Sequence, residues 1–281
     1  MPELAEVETV RNTLKKRILN KTIKCVNVRY PKMIESNWED FKKILVGRSF
    51  LDIKRRGKWL IFDLGDYYLL SHLRMEGKYF IKSHEEELNK HEHVIITFID
   101  DTDLRYHDTR KFGRMNLIKK EDLVVAEEIA KQGLEPGDKN LTAKYLVDKF
   151  KKKRLPIKTV LLDQTIISGL GNIYANEVLF AAGLDPFKKA CDVSLEEASK
   201  IVDESNRIIK EAIKMGGTTI KSYTSSLGVT GRFQQYLCVH KREGMPCLKC
   251  GTTILNMKIN GRSTYFCPKC QGVIKTNEDN I

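Results

Sequence analysis

The sequence predicts an α+β protein: an N-terminal helix and an antiparallel β-sandwich, then a helical region, then a terminal β-hairpin held by cysteines. Three observations carry this. The first twenty residues show an apolar stripe, Leu4, Val7, Val10, Leu14 and Ile18, at helical spacing. Short β-rich runs crowd the stretch from Ile23 to Ile118. Near the end stand two knuckles, Cys247-x2-Cys250 and Cys267-x2-Cys270, with sixteen residues between them.

The opening helix is expected from Glu3 to Leu19, with acids in its first turns and bases in its last, as the helix dipole favours. The β-runs follow at Ile23 to Tyr30, Ser49 to Lys54, Trp59 to Leu64, Tyr67 to Leu73, Gly77 to Ile81, Val94 to Ile99, Asp103 to His107 and Arg114 to Ile118. Turn residues such as Gly57, Gly65-Asp66 and Asp100-Asp101 separate several of them, and short strands at this spacing argue for a sandwich. Gly133-Leu134-Glu135-Pro136-Gly137-Asp138 reads as a break, after which the chain turns helical. One helix is expected from Ile173 to Ala182, after Gly169-Leu170-Gly171-Asn172. Another opens at the capping box Ser194-x-x-Glu197 and stops at Gly216-Gly217. A Ser/Thr/Gly-rich loop, 221–232, precedes the cysteine module. The expected boundaries are 1–133, 134–235 and 236–281.

Four thiolates at this spacing suit one tetrahedral zinc, each knuckle reaching the metal from a tight turn, with no position left for water or substrate. This zinc is therefore expected to be structural. Cys25, Cys191 and Cys238 are scattered and expected to be buried or idle.

At 281 residues the chain can hold two domains, and 41% hydrophobic and 31% charged residues are ordinary for a soluble globular protein. No apolar run reaches bilayer length, and the acidic start shows no secretory signal, so a cytoplasmic protein is expected. The net charge is +12. Bases cluster at Lys54-Arg55-Arg56-Gly57-Lys58 and at Lys151-Lys152-Lys153-Arg154, which points to a polyanion and most simply to nucleic acid.

Five stretches, in order along the chain, resemble the bacterial formamidopyrimidine-DNA glycosylase family. They are Met1-Pro2-Glu3-Leu4-Ala5-Glu6-Val7-Glu8-Thr9-Val10, Ser71-His72-Leu73-Arg74-Met75-Glu76-Gly77, Arg110-Lys111-Phe112-Gly113, Gly171-Asn172-Ile173-Tyr174-Ala175 and the cysteine hairpin. The resemblance implies a β-sandwich, a helical domain with a helix-two-turn-helix, and a zinc finger. It implies an 8-oxoguanine glycosylase and AP lyase that acts as a monomer on damaged duplex DNA, with no organic cofactor.

The chemistry suits the residues. Loss of Met1 would leave Pro2 with a free secondary amine. An α-amino group near pH 8 is about one-tenth unprotonated at neutral pH, far more than a lysine. Its attack on a sugar C1′ gives an iminium ion directly, and Glu3 beside it can serve as the proton donor. By the resemblance Lys58 contacts phosphate and assists proton transfer, and Arg262 clamps phosphate and donates a proton in the second elimination. In Arg110-Lys111-Phe112-Gly113 an aromatic flanked by bases and followed by glycine resembles a hairpin tip. Met75 and Phe112 are implied as the wedge filling the stack when a base is rotated out, with Arg110 facing the orphaned partner. His72, His91, Lys153, Lys158 and Asn172 are implied DNA contacts, and Lys221 opens a loop over the extruded base. Ala5 departs from a common proline, and Val239-His240-Lys241-Arg242 departs from a usual Val-Tyr-Gly-Arg. Two rival readings stand: an endonuclease VIII-type enzyme for oxidised pyrimidines, and a zinc-ribbon protein that only binds nucleic acid.

Overall fold

In the computed structural model the described residues are 1–218 and 231–273. They form two compact units, 1–131 with 213–232, and 132–212 with 233–281.

The first unit opens with α1 (Leu4–Ile18), whose Leu4, Val7, Val10, Leu14 and Ile18 are buried, as the stripe requires. Ala5, at the family's proline position, is buried in the first turn. All eight expected strands are present: β1 (Ile23–Val28), β2 (Asp52–Arg56), β3 (Trp59–Asp63), β4 (Tyr67–His72), β5 (Lys78–Ser83), β6 (Glu92–Phe98), β7 (Thr102–His107) and β8 (Arg114–Lys119). They make two antiparallel sheets, ordered β1-β6-β7-β5 and β2-β3-β4-β8. Aromatic rings fill the space between. Phe50 meets Phe62 at 5.3 Å and Phe98 at 6.0 Å, Phe62 meets Tyr79 at 5.8 Å, and Tyr79 meets Tyr106 at 5.1 Å. β3 is buried on both faces, which explains its unbroken apolar Trp59-Leu60-Ile61-Phe62. Its outer residues Trp59 and Ile61 lie with Leu123, Ala126 and Ile129, next to the short helix α3 (Glu127–Ala130).

Not every helix of this unit was read in the sequence. α2 (Trp38–Leu45) is capped by Asn37, whose side chain accepts from the N–H groups of Glu39 and Asp40. Its buried Phe41 and Leu45 lie four apart, so the signal was present but short. Cys25, expected to be buried or idle, is exposed.

The second unit holds α4 (Ala143–Phe150), α5 (Ile157–Leu161), α6 (Asn172–Ala181), most of α7 (Leu195–Lys214) and the hairpin β9 (Leu255–Ile259) and β10 (Arg262–Phe266). The capping box of α7 forms as read: Ser194 N–H donates to Glu197 Oε2 at 2.8 Å and Glu197 N–H to Ser194 Oγ at 3.2 Å. Between α5 and α6 the chain makes two turns. Gln164 fixes them, donating to the carbonyls of Leu162 and Leu170 and accepting from Gly169 N–H. This is the helix-two-turn-helix expected. The β9–β10 turn is Asn260-Gly261, both with positive φ (46° and 74°), as a two-residue hairpin of right-handed twist demands.

Candidate functional site

In the first unit one register row crosses the β2-β3-β4-β8 sheet near its end: Arg56 opposite Trp59, Trp59 opposite His72, and His72 opposite Arg114. The connections just beyond this row carry Lys58, Met75, Arg110 and Phe112. Strands lie about 4.8 Å apart, so the four strands that these connections leave span about 15 Å at one sheet end.

The N-terminus reaches that end too. Lys15 pairs with Asp52 at 2.5 Å and Glu8 with Arg55 at 2.9 Å, so α1 runs antiparallel to β2. Seven helical residues and three strand residues both span about 10 Å, and continuing at that ratio brings Glu3 level with Gly57 and Lys58. Glu3 and Lys58 are both buried, at 2% and 5% exposure. Pro2 is half-buried.

Glu6 organises this end, though the sequence reading gave it no role of its own. Its carboxylate is buried. One oxygen accepts Glu3 N–H at 2.9 Å, and the other accepts the N–H and hydroxyl of Thr218 at 2.7 and 3.0 Å. Gly217 lies against it, where a Cβ would stand 2.7 Å from Glu6 Oε1.

His72 is held as a neutral ring. Arg74 N–H donates to its Nδ1 at 2.9 Å, leaving Nε2 to carry the proton, and the ring edge meets Trp59 at 4.8 Å. Burial, with the charges of Arg74 and Lys58, pushes its pKa down to about 3.

The sequence suggests a hairpin tip for Arg110-Lys111-Phe112-Gly113, and the structure corrects this. β7 and β8 lie in different sheets, so the segment is a crossover, as is 73–77 between β4 and β5. Both crossovers close on one buried side chain. A Cβ on Gly77 would lie 2.1 Å from the Tyr106 hydroxyl and one on Gly113 only 1.9 Å from it, so neither position tolerates a larger residue without rearrangement. Buried Asp108 ties the second loop by accepting Arg110 N–H at 3.0 Å and Gly113 N–H at 2.8 Å. The result is an exposed Phe112 with the Arg110 guanidinium over its ring at 4.7 Å, and a half-buried Met75.

His91 belongs to the same end, since Asp108 N–H donates to its carbonyl at 3.0 Å. His93 turns inward, its Nε2 against Asp108 O at 2.8 Å.

In the second unit the polar residues form a buried cluster. Lys158 is fully buried, with Nζ 2.9 Å from Asn172 Oδ1 and 3.4 Å from Thr264 Oγ1, while Asn172 Nδ2 donates to Ser263 O at 3.0 Å. Asn172 opens α6, with Gly171 as its cap, at the end of the helix where backbone N–H groups point outward. Arg262 is exposed at the start of β10. Lys153 spends its charge on Asp163 at 3.5 Å and is about half exposed. Lys221 lies outside the described residues.

Two further residues of α6 escaped the sequence reading. Glu177 is buried and accepts the N–H groups of Cys238, Val239 and His240 at 2.7 to 3.0 Å, while burial pushes its carboxyl pKa up. Asn176 Nδ2 donates to His240 Nδ1 at 2.9 Å, so His240 also carries its proton on Nε2. Burial, Lys241 and Lys158 push His240 down to about 4.

The four cysteine sulfurs lie within 4.8 Å of one another, with Cys247 to Cys270 at 3.8 Å and Cys250 to Cys267 at 3.5 Å. Disulfide sulfurs stand about 2.05 Å apart, whereas sulfurs about 2.3 Å from a central ion stand about 3.8 Å apart. The quartet fits one tetrahedral zinc. Lys249 N–H and Cys270 N–H point at Cys247 Sγ and Cys267 Sγ, each at 3.4 Å, as metal-bound thiolates require. This zinc is structural, with no open coordination position.

Fold and site together define a class, the zinc-finger proteins that act on damaged DNA through a sandwich and a helix-two-turn-helix. Residues 1–115 match the formamidopyrimidine-DNA glycosylase N-terminal domain, 132–224 its H2TH domain, and 244–273 the zinc finger found in FPG and IleRS. The chain is 47% identical to the formamidopyrimidine-DNA glycosylase of Shouchella clausii over 96% of its own length and 99% of that protein's. It is 44% identical to that of Bacillus anthracis, with the same coverage. Among solved structures it resembles the Lactococcus lactis Fpg bound to abasic-site DNA, with a TM-score of 0.91, 41% identity, and 96% and 99% of the two chains covered. The chain belongs to the formamidopyrimidine-DNA glycosylase family.

Proposed function

We propose that this protein is a bifunctional DNA glycosylase and AP lyase of base-excision repair that removes oxidised purines, 8-oxoguanine and formamidopyrimidines, from duplex DNA. The observation that carries the reading is the meeting of the α1 N-terminus, Lys58 and both crossover loops at one sheet end. A nucleophile, a cation and an intercalating wedge are what base removal needs in one place. A mutant of the Lactococcus lactis Fpg has been solved with DNA containing Fapy-dG, at 41% identity and a TM-score of 0.92, which supports the substrate class.

After removal of Met1, the Pro2 nitrogen attacks C1′ as the bond to the base breaks. The base leaves with that electron pair and takes up a proton, and Glu3 protonates the opening sugar. The iminium acidifies C2′, so loss of that proton expels the 3′ phosphate. A second elimination expels the 5′ phosphate and leaves a one-nucleoside gap. Lys58 neutralises phosphate and assists proton transfer, and Arg262 serves as phosphate clamp and proton donor in the second elimination. Met75 and Phe112 fill the vacated stack while Arg110 faces the partner base. His72, through Nε2–H, and His91, Lys153, Lys158, Asn172 and Lys221 hold DNA. The functional segments are 1–133, 134–235 and 236–281, and the protein works as a monomer in the bacterial cytoplasm. None of the described helices is long and apolar enough to cross a membrane.

Borohydride trapping tests the chemistry. A covalent adduct with 8-oxoguanine duplex is expected from the parent, with Met1 shown absent by mass spectrometry, and a much weaker one from Pro2→Gly, which keeps only a primary α-amine. Equal trapping by Pro2→Gly would remove the proposed nucleophile. A second reading, for oxidised pyrimidines, draws on the Lactococcus lactis Fpg solved with DNA containing one, at 40% identity and a TM-score of 0.90. A lesion panel decides between them by relative kcat/KM.

A further inference from the structure

We infer that the 83–92 segment is a preset arm, and that Asn89, Arg105 and His107 are positioning residues that fix His91 for its contact with the DNA backbone. The inference rests on the proposed role of His91 above.

Arg105 is fully buried, and its guanidinium holds this segment down from beneath. Its Nη2 donates to the carbonyls of Ser83 at 2.9 Å and Glu86 at 2.8 Å, and its Nη1 to Glu87 O at 3.1 Å. Nε and Nη1 also meet the carboxylates of Asp103 at 3.0 Å and Glu92 at 3.2 Å. A buried charge satisfied by backbone carbonyls on one side and carboxylates on the other leaves that backbone little freedom.

Glu92 passes the restraint on. Its Oε2 also accepts Asn89 N–H at 3.0 Å, and Asn89 Oδ1 accepts His91 N–H at 2.9 Å. Arg29 closes the far side by donating to Asn89 O at 2.7 Å and Glu92 O at 3.0 Å. The His91 carbonyl is taken by Asp108 N–H, so its backbone is tied on both sides. The ring has its own seat, edge-on to His107 at 5.5 Å, and His107 in turn stands edge-on to Phe80 at 5.7 Å.

The segment itself is Ser83-His84-Glu85-Glu86-Glu87-Leu88-Asn89-Lys90, exposed from Ser83 onward and acidic at its centre. Such a stretch would wander and be repelled by DNA if left to itself. Fixing it saves the ordering entropy that would otherwise weaken a single contact at its end.

The test is a double-mutant cycle read by DNA affinity. Asn89 is exposed, so Asn89→Ala should fold with an unchanged melting temperature. His91→Ala is expected to weaken binding of an abasic-analogue duplex about tenfold, near the low end for one hydrogen bond to a charged group, and Asn89→Ala about three- to fivefold, the scale of one neutral hydrogen bond. The double variant should bind no worse than His91→Ala. Asn89→Ala should raise KM and leave the single-turnover rate at saturating DNA unchanged. His107→Ala should repeat the pattern. Additive losses, or parental affinity in Asn89→Ala when His91→Ala is impaired, would overturn the positioning role alone. Parental affinity in His91→Ala would overturn the DNA contact itself, and this inference with it.

Discussion

In the sandwich unit the functional side chains stand on connections that leave one end of a sheet, whereas in the zinc-bearing unit buried Lys158 and Asn172 share a polar cluster beside the exposed Arg262. The first arrangement draws residues from positions 2 to 112 into one place by strand register and by two glycines against Tyr106. The second draws Lys158, Asn172 and the Arg262 hairpin together by hydrogen bonds and a metal. On the roles proposed above, the first unit carries the nucleophile and the wedge, and the second chiefly grips phosphate. Loops on a sheet end can present an amine and a wedge to a moving base, while a satisfied cluster is rigid and suits a phosphate backbone.

The comparison breaks first at its strongest points. Cys247→Ser should lose zinc, worth on the order of 10 kcal/mol to such a module, and with it DNA binding and trapping together. Pro2→Gly should trap far less than the parent and keep parental DNA affinity. Native-gel binding with zinc analysis checks both, and a zinc-free variant that still bound DNA would end the division of labour. Glu3→Gln should lower the rate of base release by about 10²- to 10⁴-fold, the range for a positioned proton donor, with affinity kept. Single-turnover kinetics would show it.

Gly113→Ala should cost about 1 to 3 kcal/mol through overpacking against Tyr106, seen as a lower melting temperature. Because the same loop carries Arg110 and Phe112, discrimination of the base opposite the lesion should weaken too.

Acid should unsettle both units through neutral buried histidines. His72 titrates near 3 and His240 near 4 in the folded chain, against about 6.5 when unfolded. The unfolded chain therefore binds more protons in between. Stability is full above about pH 6.5 and falls by up to about 1.4 kcal/mol per pH unit for each ring, down to about pH 3 and pH 4 respectively. His72→Gln should flatten the acid limb of the sandwich unit's unfolding and His240→Gln that of the zinc unit's, followed by chemical denaturation from pH 7 to 5. The smallest effect is expected from Lys153→Ala. Its half-exposed ion pair with Asp163 is worth under about 1 kcal/mol, so stability should barely move. A modest loss of DNA affinity would then report the phosphate contact by itself.

Much of this was legible early, because it depends on near neighbours in the chain. The eight strands follow from short β-rich runs and their turns, α1 and α7 from apolar stripes and caps, and the zinc quartet from two knuckles. α2 carried a readable cap in Asn37 but too few turns to stand out. Arg110 to Gly113 resembled a hairpin because local sequence cannot say which sheet the next strand joins.

What the chain's own letters determined were the elements, the metal and the residue types able to do the chemistry. Each follows from local backbone preference, from side-chain period, or from the ligands a metal needs. Only the tertiary structure decided which of those residues meet. Glu6 and Thr218 stand 212 positions apart, and Lys158 and Thr264 stand 106 apart. Tyr106 acquires its importance only where two glycines close on its hydroxyl. Burial makes such partners obligatory, since a polar group removed from water must find a mate, and only the folded core determines what is buried.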